Sequence, residues 1–157
     1  MLKIPSKISL GLSITLAILF FVGCIAGAFI MPSLAEMLIN VTDNIGSRAE
    51  ITQGGRVAVL IMAYAVLAVF VLADVLLFSL LMRVRSGLIF TDISVSLIRG
   101  VSWCLFLLCA IFCGLGIYFQ LAFIVAFAAV FLGLCLRVVK NVIEQATEIK
   151  SENDLTV

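Results

Sequence analysis

From Gly100 to Leu136 the chain runs 37 residues without a charged side chain. A single straight α-helix of that length would measure about 55 Å, nearly twice the roughly 30 Å hydrocarbon core of a bilayer. The run therefore has to fold back on itself as two spans. Gly114, Gly116, Tyr118 and Gln120 mark the reversal, with Tyr118 suited to a headgroup interface. This gives spans at about 100–117 and 121–139, the second completed by Arg137 and Lys140 snorkelling to the boundary.

Two further runs have the same character. Residues 8–31 carry no charge, and 24 residues of helix reach about 36 Å, enough to cross the core with some tilt. Pro32 and Ser33 are expected to end this span. Lys3 and Lys7 before it, and Ser33-Leu34-Ala35 after it, also suit a signal peptide. An h-region is only about 7–15 residues, so the segment reads as a retained span. The next run, 57–82, lies between Arg56 and Arg83 and contains Asp74. An acid in a span costs about 2.5–3.5 kcal/mol, and each Leu, Ile, Val or Phe returns about 0.3–0.6 kcal/mol. Sixteen such residues in 57–82 let it insert despite the charge. With 64% hydrophobic and 12% charged residues, the whole chain departs from a soluble domain in the same direction.

Lys and Arg counts orient the spans. Eight fall on the side of Lys3, Arg83 and Lys150, and two (Arg48 and Arg56) on the other, which predicts both termini in the cytoplasm. The expected fold is thus all-α: an integral membrane four-helix bundle, N-in and C-in, forming one membrane domain over 1–157. Its parts are an outer loop 32–56, a cytoplasmic loop 83–99 and a cytoplasmic tail 140–157. Leu34, Met37, Leu38, Val41 and Ile45, set against Glu36, Asn40, Asp43 and Asn44, predict a short outer interfacial helix ending at Gly46. In the cytoplasmic loop, Gly87 suits a turn and Thr91 an N-cap, with Asp92 in the following first turn. Beyond Arg137, Val139, Val142, Ile143, Ala146 and Ile149 alternate with Lys140, Glu144 and Glu148, predicting a helical extension of the fourth span.

Chemistry is sparse. There is no His, and Cys24, Cys104, Cys109, Cys113 and Cys135 form neither a Cys-x-x-Cys pair nor a zinc spacing. No catalytic residue, metal or cofactor is expected, and the chain is not read as an enzyme. A net charge of +1 without a long basic run argues against direct nucleic-acid binding.

The loop Arg83-x-Arg85-x-Gly87-x-x-Phe90-Thr91, Arg99 ahead of Trp103, and the ending Glu152-Asn153-Asp154-Leu155-Thr156-Val157 resemble the bacterial membrane proteins of the domain of unknown function 2975 family. The loop departs from that pattern at Ile89 and Ser94. The resemblance implies a multi-pass protein of the bacterial inner membrane with no established activity. It also implies a partner, since members are often encoded beside a small Cro/C1-type helix-turn-helix regulator.

Four features are candidates for function. Asp74 is the one ionisable side chain within a span, to be satisfied by Ser13, Thr15, Ser102 or a protonated state; it suits either proton or ion handling or ligand contact, or a structural interhelical hydrogen bond. Arg83 and Arg85 fix orientation or meet a phosphate. Gly23-x-x-x-Gly27 offers a flat packing face to another span of this chain or to a second subunit of a homo-oligomer. Glu152, Asp154, Leu155, Thr156 and Val157 are either a bare helix end or a docking peptide for a basic partner. The leading expectation is a non-enzymatic membrane regulator that binds a helix-turn-helix protein. The other is a small proton-coupled transporter or channel using Asp74.

Overall fold

The computed structural model of the chain describes residues 6–44, 53–87 and 91–154. They form four helices: α1 (Ser6–Asn44), α2 (Gln53–Arg85), α3 (Asp92–Leu115) and α4 (Leu121–Asp154). All four are long and apolar enough to cross a bilayer. Helix is what such sequences require, because lipid offers no water to backbone N–H and C=O groups and each must be satisfied within its own segment.

The helices meet in chain order: α1 on α2, α2 on α3, α3 on α4. Among the described residues no contact joins α1 to α3 or α4, so the four lie in an open row with most apolar side chains facing outward. The most extensive interface is α3 with α4, and α1 is the least buried helix. Neighbours are antiparallel. Phe20 and Phe70 stack edge-on at 5.9 Å, Gly100 lies against Leu76 and Gly114 against Met62, and the Ser102 hydroxyl donates to the Gly133 carbonyl at 3.1 Å.

The first helix corrects the sequence expectation. It does not stop at Pro32 and Ser33 but runs 39 residues to Asn44, so residues 34–44 continue α1 and are no separate interfacial helix. Pro32 has no N–H, which leaves the Ala28 carbonyl four residues earlier without its helical donor. The Tyr64 hydroxyl donates to that same carbonyl at 3.2 Å, from α2. The partner helix thus satisfies what the proline would have orphaned, and the helix continues. Past Pro32, Ala35 and Ile39 are buried, and Ile39 joins the core with Val59. Leu34, Met37, Leu38 and Val41 are exposed along this part of α1. Gly46 and Ile45 lie outside the described residues.

Both described turns have local causes. Gly87 adopts φ +75°, a conformation that favours glycine, and its N–H reaches the Val84 carbonyl at 3.1 Å, closing α2. Between α3 and α4, the Tyr118 and Phe119 N–H groups donate to the Leu115 carbonyl at 3.0 and 2.8 Å. The Phe123 ring covers Gly116 so closely that a Cβ there would fall 2.6 Å from the ring.

Candidate functional site

Asp74 is buried, at 6% exposure. On α2, Tyr64, Leu67 and Phe70 meet Ala28, Gly27 and Phe20 of α1. Asp74 follows Leu67 by seven residues and Phe70 by four, so it occupies the same, α1-facing side. The α2–α3 register places it level with Ser102, about one turn from Arg99. Two of the three expected partners are engaged elsewhere: the Ser102 hydroxyl is given to Gly133 of α4, and the Thr15 hydroxyl to the Gly11 carbonyl at 3.0 Å. Among the described residues no hydrogen bond or ion pair reaches the Asp74 carboxyl.

The antiparallel order collects Arg83, Arg85, Arg99, Arg137 and Lys140 at one end of the row. Arg83 and Arg85 stand in the last turn of α2, where positive charge complements the helix dipole. Thr91, extended at φ −142° and ψ 149°, caps α3 by accepting from the Ser94 N–H at 3.4 Å, and Asp92 occupies the first turn. A few residues on, α3 and α4 build a polar cluster. The Arg99 guanidinium reaches Glu144 at 3.4 Å, and Lys140 pairs with the same carboxylate. The hydrogen bond from Lys140, reinforced by the charges of Lys140 and Arg99, holds the Glu144 carboxyl below the usual range. Arg137 lies 5.6 Å over the Trp103 ring and 5.4 Å over Phe106.

This cluster was not legible as a unit from sequence. Arg99 and Trp103 are 34 or more residues from Arg137, Lys140 and Glu144, and only the α3–α4 register unites them. What sequence did offer was helical spacing: Arg99 and Trp103 four apart, Arg137, Lys140 and Glu144 three and four apart. A second missed feature is the stripe Ala122, Ala126, Ala129 and Gly133, all buried on the α3 side of α4.

Of the expected packing pair on α1, Gly27 faces Leu67, where a Cβ would sit at 3.4 Å, while a Cβ on Gly23 would meet nothing within 4 Å. Glu152 and Asp154 belong to the final turns of α4. Leu155, Thr156 and Val157 lie outside the described residues. The extension of α4 is amphipathic in an unexpected sense. Its polar Glu144 and Thr147 border a cleft shared with Asp92, Ser96 and Arg99 of α3, whereas Val142 and Ile149 are 59% and 60% exposed. Among the described residues no three His, Cys, Asp or Glu gather as metal ligands.

No curated protein and no solved structure gives a significant match to the chain. The sequence profile of the protein of unknown function DUF2975 matches residues 38–157. That span includes α2, both turns, the α3–α4 cluster and the tail, and with it this multi-pass membrane protein belongs to the DUF2975 family.

Proposed function

We propose that this protein is a non-enzymatic regulator in the bacterial inner membrane, with both termini in the cytoplasm. There it holds a small helix-turn-helix transcription regulator through the 83–99 loop and the end of α4. The observation that carries this reading is the exposed apolar pair on that extension. After Arg137, α4 continues for 17 residues, about 25 Å, past the polar cluster. Val142 and Ile149, seven apart, share one face of it and point away from α3. Outside lipid, an unpaired apolar strip on a helix suits docking against a partner helix or groove. Glu148, Glu152 and Asp154 supply acidic charge along the same extension, complementary to a basic DNA-binding protein. The cytoplasmic placement rests on the eight-to-two bias in Lys and Arg, supported by the gathering of basic side chains at one end of the row.

Co-purification of the neighbouring-gene regulator with the full chain is the expected result. Removing residues 151–157, or introducing Val142→Asp with Ile149→Asp, should lower its recovery at least fivefold. Equal recovery from all three proteins would remove this function. Reporter fusions at residue 50 and at the C-terminus should report opposite sides; the same side would overturn the orientation.

A second reading rests on its own observation, the largely buried residue Asp74, whose carboxyl has no partner among the described residues. It is that of a small proton-coupled transporter or channel in which Asp74 is the coupling group. The open space beside Gly23 would then be the contact between subunits.

A further inference from the structure

We propose that the cleft between α3 and α4 at the basic end binds the phosphate headgroup of an anionic phospholipid. The cleft measures about 260 Å³ and is lined by Arg99, Ser102, Trp103, Arg137, Lys140 and Asn141. Three of these are cations; among the described residues Glu144 is the carboxylate that pairs with Lys140 and Arg99, and no ion pair is made by Arg137. Arg137 meets aromatic faces, which hold a guanidinium in place without neutralising it. Its fork is therefore available for the two-oxygen contact that phosphate accepts.

Position favours a lipid as the source of that phosphate. Trp103 is 60% exposed at the end of a span, where an indole sits at the headgroup level with its ring towards the chains. One turn deeper on the same face of α3, Leu107 is 51% exposed, and Leu134, three residues before Arg137 on α4, is also 51% exposed. Charge above an apolar wall matches a headgroup above its acyl chain. Basic pockets between spans on the cytoplasmic side bind anionic headgroups by this arrangement.

Trp103 is the sole tryptophan of the chain and reports from inside the cleft. The full chain is reconstituted in phosphatidylcholine vesicles with increasing brominated phosphatidylglycerol or, in parallel, brominated phosphatidylcholine. Trp103 fluorescence should be quenched at a far lower mole fraction of the anionic lipid. Arg137→Gln with Lys140→Gln should weaken that preference about twenty-five-fold, since each basic residue at a membrane surface changes affinity about fivefold. Lys7→Gln, in the first turn of α1 at the same end but two helices away from the cleft, should leave it unchanged. If the double variant loses helicity by circular dichroism, Arg99→Gln takes its place with a fivefold expectation. Equal quenching by both lipids overturns the proposal, as does an equal loss with Lys7→Gln, which would mark general attraction to the basic end. Millimolar inorganic phosphate added inside and outside the vesicles should not abolish the preference. If it does, the cleft takes free phosphate and the lipid assignment fails.

Discussion

Asp74→Leu is expected to make the protein more stable than the natural sequence. Asp74 is 6% exposed as a residue and lies on the α1-facing side of α2, and among the described residues nothing donates to its carboxyl or pairs with it. An acid at the centre of a span costs about 2.5–3.5 kcal/mol to insert, whereas Leu contributes about −0.5 kcal/mol, a difference of about 3 kcal/mol that falls towards the boundary. Asp74 lies level with Ser102, nearer the basic end than the middle, so a gain of about 2 kcal/mol is expected. Insertion of the isolated α2 segment into microsomes, and unfolding of the full chain in mixed micelles, both measure it. A loss of stability would show that the carboxyl makes a structural interhelical bond. A gain would show that the chain carries Asp74 at a cost, which favours use over architecture. Asp74→Asn separates the two functional readings. Proton-coupled flux in vesicles that disappears in Asp74→Asn supports a transporter; unchanged flux removes that reading and leaves the regulator standing.

The membrane architecture was legible because it depends on length and charge alone. Thirty-seven uncharged residues must fold back wherever they pack, and Gly87, Thr91 and Asp92 act through local backbone chemistry that needs no tertiary partner. Pro32 misled because its effect is not local. A proline ends a helix when the freed carbonyl has no other donor, and the donor here is Tyr64, 36 residues from Ala28. The separate interfacial helix did not form for a related reason, since residues 34–44 simply continue α1. In a lipid-exposed helix, apolar side chains do not mark the buried side, and the small Ala35 is buried while Met37 is exposed. The α3–α4 cluster needed a register that no single segment encodes. The open row itself was beyond reach, since four apolar helices satisfy the same hydropathy pattern whether or not α1 closes onto α4.

That same inversion of the usual rule governs the interface that holds α3 to α4. Without a hydrophobic drive between helices in lipid, close approach has to come from small residues, and α4 presents Ala122, Ala126, Ala129 and Gly133 to α3. At Gly133 a Cβ would stand 3.4 Å from the Phe106 ring and 3.5 Å from the Leu105 Cβ, which leaves room for one methyl and no more. Gly133→Ala should therefore be neutral or up to about 1 kcal/mol stabilising, through helix propensity. Gly133→Leu should cost about 1–3 kcal/mol by overpacking. It would drive Phe106 from its place beneath Arg137 and pull the Ser102 hydroxyl off the Gly133 carbonyl. Gly23→Leu, where nothing stands within 4 Å, is expected to leave monomer stability within about 0.5 kcal/mol of the natural protein. Unfolding in mixed micelles followed by Trp103 fluorescence distinguishes the three. Equal effects of Gly133→Leu and Gly23→Leu would mean that the small stripe of α4 does not set the α3–α4 distance. A Gly23→Leu protein that is stable but altered in sedimentation would instead place a second subunit against α1.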